Sequence, residues 1–148
     1  MRYDAFKRIS VGKKIATAHN ADDNLETIIL NLIRGSALKG LAGIPPVRDN
    51  IIRPLLNVTR AEIEQYLSEN NIDFVVDSSN LSDDYTRNKI RHNLIPVMSD
   101  INSSLLKTSV STINAVNLEN SFIEEQTDIA YSKCRTENGF TGLLDFHK

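Results

Sequence analysis

The sequence predicts an α/β fold in which part of an open parallel sheet is followed by a helical segment, and three observations carry that expectation. The apolar run Ile15-Ala16-Thr17-Ala18 passes at once into a helical pattern of 3.6-residue period. A second β-branched run, Ile51-Ile52, precedes a helix start at Thr59-Arg60-Ala61-Glu62, which has the capping-box pattern. From Ile101 to about Ser132 the apolar residues keep helical spacing. In open parallel sheets ligands sit beyond the carboxyl ends of the strands, so His19, at the end of the first run, marks the expected active-site edge.

With 148 residues, 41% of them hydrophobic, the chain can form one domain with a real core, or a piece of one, but not two domains of ordinary size. A formal charge of −2 excludes a global attraction to nucleic acid or an anionic membrane, so any nucleic-acid contact must be local. The single cysteine, Cys134, cannot close an intrachain disulfide, and no Cys/His spacing resembles a zinc site; a reducing, cytoplasmic setting is expected. No apolar run approaches the roughly 18–20 residues of a membrane span, and no signal-peptide order opens the chain. No membrane partner is expected.

In chain order, Tyr3, Phe6 and Ile9 recur at three-residue steps and predict a short surface helix before the first strand. Leu25, Ile28, Ile29, Leu32 and Ile33 form one helical stripe that Gly35 ends as a left-handed cap. Residues 35–46, with three glycines and Pro45-Pro46, read as a connecting loop. Ile51 to Leu56 is β-branched but broken by Pro54, hence a short or edge strand. The capped helix from Thr59 carries Ile63, Tyr66 and Leu67 and stops at Asn70-Asn71; Phe74-Val75-Val76 reads as a brief buried strand. Residues 77–84 are a polar loop, and a helix runs from Tyr85 to Ile95 until Pro96 ends or kinks it. The last stretch, from Arg135, shows no clear period, and nothing repeats internally.

Two constellations can carry chemistry. Asp22, Asp23 and Glu26 crowd the start of the first long helix just after His19; such a cluster can orient a nucleophile or hold magnesium, with Asp22 and Asp23 the candidate ligands. Asp23-Asn24-Leu25-Glu26 equally fits a capping box with no ligand. In the second, Arg87 and Arg91 are the informative residues. At about 100° per residue they share one sector with Ile90, Leu94, Ile95 and Met98, so both guanidiniums project from the apolar face. An arginine aimed at a core needs a desolvated partner: a bound anion, or a structural carboxylate such as Asp77 or Asp83. Gly35, Gly40 and Gly43 match no phosphate-binding spacing and are explained by turns, and Cys134 lacks the cationic neighbours of a nucleophile.

Taken together, Ala18 to Thr27 (AHNADDNLET), Leu32 to Ser36 with Gly40 to Pro45, Arg53-Pro54-Leu55-Leu56, and Asp77 to Asn80 with Tyr85 to His92 (YTRNKIRH) closely resemble the bacterial tRNA(Ile)-lysidine synthases, over roughly residues 2–98. The resemblance implies an adenine-nucleotide α-hydrolase-like, Rossmann-type sheet of the PP-loop ATPases. It also implies a two-step reaction: ATP adenylates the wobble cytidine of tRNA(Ile) with a CAU anticodon, and L-lysine then displaces AMP to leave lysidine. It places Asp23 and Glu26 with lysine and the adenylation chemistry, Arg87 and Arg91 near the phosphates, and His19, Asp22 and Asn88 in the ATP or lysine site. ATP and magnesium are the implied cofactors.

The departures are equally specific. The family's Ser-Gly-Gly-x-Asp-Ser phosphate loop has no counterpart here, since Gly12 is the only glycine before Gly35; Ala37 stands at a usual glycine, and the tRNA-recognition domains are missing. The expectation is a fragment of the enzyme, inactive alone: residues 1–98 a partial catalytic domain, 99–134 a long helix or linker, and 135–148 a tail toward a further domain. Exposed edges of such a fragment favour a homo-oligomer. The competing readings are a noncatalytic remnant or interaction module of this fold, and a tRNA-thiolating relative, which the lone Cys134 disfavours.

Overall fold

A computed structural model describes residues 12–75, 85–136 and 139–140. The predicted N-terminal helix, the polar loop at 77–84 and Val76 lie outside the described residues. The fold is α/β. Strand β1 (Ile15–Ala16) leads into helix α1 (Ala21–Ile33), and the chain returns through α2 (Leu38–Leu41) and β2 (Val47–Arg48) to β3 (Ile51–Ile52). In the sheet, order β1-β3-β2, β1 runs parallel to β3 with Ile15 opposite Ile51, and β2 pairs antiparallel with β3. The parallel pair with its helical crossover is the expected strand-helix-strand unit.

The sequence had not suggested β2. It pairs through a two-residue turn in which Asp49 takes φ +55, a conformation that aspartate tolerates and tight hairpins require. The proline-broken run is accordingly the central strand of the three: Pro54 falls just past β3, where no ladder bond is lost. Residues 38–41 form a helical turn inside what reads as a loop. Phe74 and Val75 are a correction of another kind, for they are 51% and 94% exposed and in no strand. A β-branched run becomes a strand only where a neighbour takes up its backbone groups, and none among the described residues does.

Helix α3 (Arg60–Glu69) starts where the capping box placed it, with Thr59 Oγ1 accepting from the Glu62 amide and the Glu62 carboxylate from the Thr59 amide. The arginine helix is α4 (Tyr85–Lys89), a π-helical turn (Ile90–Leu94) and α5 (Ile95–Ile101) in one run. Pro96 does not end it. The wider turn, with the Ile95 amide donating to the Ile90 carbonyl, accommodates a residue that has no N–H to give. Helix α6 (Leu105–Cys134) follows, and β4 (Arg135–Thr136) pairs antiparallel with β5 (Gly139–Phe140).

The core joins these helices: Leu25, Ile29 and Leu30 of α1 meet Ile90, with Ile95, Met98, Leu105 and Leu106 packed around them. The expected stripe on α1 is right at Leu25 and Ile29 and overextended at Leu32 and Ile33, which are 62% and 61% exposed. Leu30 is buried in their place.

Candidate active site

Helix α1 begins three residues earlier than the capping box read from Asp23 and Glu26. Asn20 is extended, its Oδ1 accepts from the Asp23 amide at 2.9 Å, and Asp23 Oδ2 accepts from the Asn20 amide at 3.1 Å. The shift moves Glu26 from the cap to the second turn, where it faces inward. Its side chain, 1% exposed, is the most deeply buried large one among the described residues.

A buried carboxylate is tolerable only with partners. Arg91 supplies a fork, Nε to Glu26 Oε1 at 2.6 Å and Nη2 to Oε2 at 3.0 Å, and lies 3.7 Å from Asp23 Oδ1. Arg87 places Nε 3.3 Å from Glu26 Oε2, without the alignment of a hydrogen bond, while its Nη2 donates to Thr27 Oγ1 at 3.0 Å. Both arginines project inward as their spacing predicts. Their carboxylate is Glu26; Asp77 and Asp83 lie outside the described residues. The Arg91 guanidinium is held above its ordinary pKa first by the hydrogen bond that it donates to Glu26, against the opposing effect of burial.

Asp22 and Asp23 take different directions. Asp22 Oδ2 accepts from the Arg60 amide at 2.8 Å, capping α3, while the Ala21 amide donates to the Val58 carbonyl at 2.9 Å; the two helix starts are thereby tied together. Asn88 stands beside Arg87, half-buried on α4. His19 follows β1 with Nδ1 2.9 Å from Thr17 Oγ1. Burial lowers its pKa, Asp23 opposes this, and Arg53 and Arg87 reinforce it.

A cleft of about 170 Å³ opens beside this cluster, lined by Asn20, Asp22, Asp23, Glu26, Arg60 and Arg91 with Ile95 and Leu106 as its apolar wall. It is smaller than the roughly 300 Å³ of an ordinary small-molecule pocket, so it suits one charged group rather than a nucleotide. A larger cleft, about 740 Å³ between the glycine-rich loop and α6, contains none of the residues predicted for the site. Of the candidate magnesium donors, Asp22 Oδ2 and Asp23 Oδ2 are engaged in helix caps and Glu26 in ion pairs, which leaves Asp23 Oδ1, 3.7 Å from Arg91, at the cleft.

Residues that the sequence reading did not single out shape the same edge. Arg53, 8% exposed at the carboxyl end of β3, donates through Nη1 to the Pro45 carbonyl, and its buried Nε meets no acceptor among the described residues. A cation directly after a β-branched pair was the available signal. Asn24, 2% exposed, accepts from the Ile44 amide through Oδ1 at 2.7 Å, and Asn31 Nδ2 donates to the Gly40 carbonyl at 2.8 Å; together they fasten the glycine-rich loop to α1.

A strand-helix-strand unit with acidic and arginine side chains beyond its strand ends is the α/β architecture that places ligands at that edge. Residues 1–98 match the PP-loop domain family, and the chain belongs to that family. Among curated relatives, it is 43% identical over 150 residues to the tRNA(Ile)-lysidine synthase of Bacteroides thetaiotaomicron, covering 98% of this chain and 35% of that protein. It is 42% identical to that of Caldanaerobacter subterraneus subsp. tengcongensis, covering 94% and 31%, and 58% identical over 87 residues to that of Borrelia garinii subsp. bavariensis, covering 59% and 20%. The chain thus spans about a third or less of the length of the relatives it matches. No helix among the described residues is long and apolar enough to cross a membrane.

Proposed function

We propose that this chain is part of a cytoplasmic tRNA(Ile)-lysidine synthase, contributing the arginine and acidic wall of its ATP-and-lysine site. In that reaction ATP adenylates the wobble cytidine of tRNA(Ile) with a CAU anticodon, releasing pyrophosphate, and the lysine amine displaces AMP. The observation that carries the reading is the cleft in which Arg91 faces the carboxylates of Asp22 and Asp23, with Arg87 close behind. Fixed guanidiniums stabilise the charge that develops on a transferring phosphoryl group, and they do so most effectively where water is scarce. Asp23, part-exposed at the cleft, can receive the lysine ammonium; His19 feels the charges of Asp23 and Arg87, and Asn88 follows Arg87 on α4.

In this scheme residues 1–98 form the catalytic portion, 99–134 a helical connector and 135–148 the approach to a further domain. Asp22 is held by the Arg60 amide and Glu26 by Arg91, which leaves Asp23 as the accessible carboxylate of the cleft. The test is equilibrium binding of ATP to the 148-residue chain. Saturable binding weakened about tenfold or more by Arg87→Ala supports the reading, and no binding at millimolar ATP overturns it for this chain.

A further inference from the structure

We propose that Glu26 is a positioning residue: its carboxylate sets Arg87 and Arg91 as one rigid anion clamp and takes no ligand itself. The inference deepens the proposed function and rests on it. Both carboxylate oxygens are consumed from one side, Oε1 by Arg91 Nε at 2.6 Å and Oε2 by Arg91 Nη2 at 3.0 Å, with Arg87 Nε 3.3 Å from the same Oε2. At 1% exposure, Glu26 contributes little surface to the cleft that it borders, so an ammonium or a metal ion entering there meets Asp23 first. Asp23 differs, since 29% of its side chain is exposed and it lines the cleft.

Two parallel hydrogen bonds fix the plane of a guanidinium as well as its place, which one lysine-like point contact cannot do. Arg87 is held at a second point by Thr27 Oγ1, itself anchored by donating to the Asp23 carbonyl at 2.7 Å. Glu26 offsets one of the two guanidinium charges and Asp23, 3.7 Å from Arg91, faces the other, while the buried Arg87 Nε–H has no aligned acceptor. Arg87, with 41% of its side chain exposed, is the guanidinium of the pair that an incoming phosphate oxygen can reach.

The test combines arginine side-chain NMR with ATP titration on the 15N-labelled 148-residue chain. In the wild type, the Arg91 Nε–H resonance, assigned by its loss in Arg91→Lys, should be displaced and slow to exchange with water. Glu26→Gln should return it to the position of exposed arginines, whereas Asp23→Asn should leave it in place. Glu26→Gln and Arg91→Lys should each weaken ATP binding about tenfold, and the double variant should bind no more weakly than either single one. An Arg91 signal unmoved by Glu26→Gln, or losses that multiply in the double variant, would overturn the proposal. Should Glu26→Gln not fold, Glu26→Asp keeps the charge but cannot span the fork, and must shift the same resonance; an Arg91 signal already averaged with bulk in the wild type overturns the proposal without any variant. If the wild type does not bind ATP, the functional reading fails while the resonances still decide the clamp.

Discussion

Arg91 reaches across 65 residues of sequence to close a two-armed ion pair on Glu26, a carboxylate with 1% of its side chain exposed. The pair joins the start of α1 to the arginine helix and makes one site of two separate constellations. Truncating one side strands the other. We expect Glu26→Ala to lower unfolding stability by about 3 kcal/mol, the low end for a broken buried pair because Arg91 keeps about a third of its surface in water. Urea denaturation measures this, and Glu26→Ala with Arg91→Ala should recover part of the loss. A single-variant cost below about 0.5 kcal/mol would show that the pair contributes little.

Asp22 caps a helix that is not its own. Replacing it by alanine removes the acceptor of the Arg60 amide and should cost about 1 kcal/mol, the usual worth of a lost N-cap. Amide exchange at Arg60 should accelerate, while the Asp23 amide, capped by Asn20, keeps its protection. Equal acceleration at both would mean that the two helix starts open as one unit.

Gly35 and Gly43 both hold positive φ, +74 and +71, but in different surroundings. A Cβ at Gly35 meets open space, so Gly35→Ala should cost only the left-handed backbone penalty of about 1–2 kcal/mol. At Gly43 the added carbon would collide with Asn24 Oδ1, the acceptor of the Ile44 amide. Gly43→Ala should therefore cost more, about 3 kcal/mol, and melting curves of the two variants side by side are the check. Equal melting temperatures would contradict the close approach of loop and helix.

His19 sets a pH dependence of known sign. Burial depresses its folded-state pKa below the ordinary 6.5, so between the two values the unfolded chain binds more protons. Its contribution to stability is complete above about pH 6.5 and is lost as the pH falls toward the folded pKa. An NMR titration of the His19 ring should give a midpoint below 6.5, and Asp23→Asn should lower it further by removing the opposing carboxylate. A midpoint above 6.5 would refute the assignment of burial as the larger effect.

Much of the architecture was legible because its signals are local. The Thr59 capping box, the Gly35 stop and the inward aim of Arg87 and Arg91 depend on residues within a few positions of one another, and each reappears in the structure. What misled was also local. The Asp23-to-Glu26 spacing imitates a cap, but the chain is extended at Asn20, so the helix starts earlier and turns Glu26 inward. Pro96 reads as a stop or kink until the π turn before it absorbs the missing amide. Phe74 and Val75 have strand composition without a strand partner among the described residues.

By itself the sequence determined the α/β class, the start of α3 and the end of α1, the inward projection of the two arginines and, through four ordered motifs, the family resemblance. Only the tertiary structure decided that Glu26 is the arginines' partner, that Asp22 belongs to the cap of α3, and that Arg53 and Asn24 are buried beside the site. The physical reason is one of range. Periodicity and capping are set by neighbours a turn away, whereas the partner of a buried charge is set by whichever element packing brings to it, here from 65 residues along the chain.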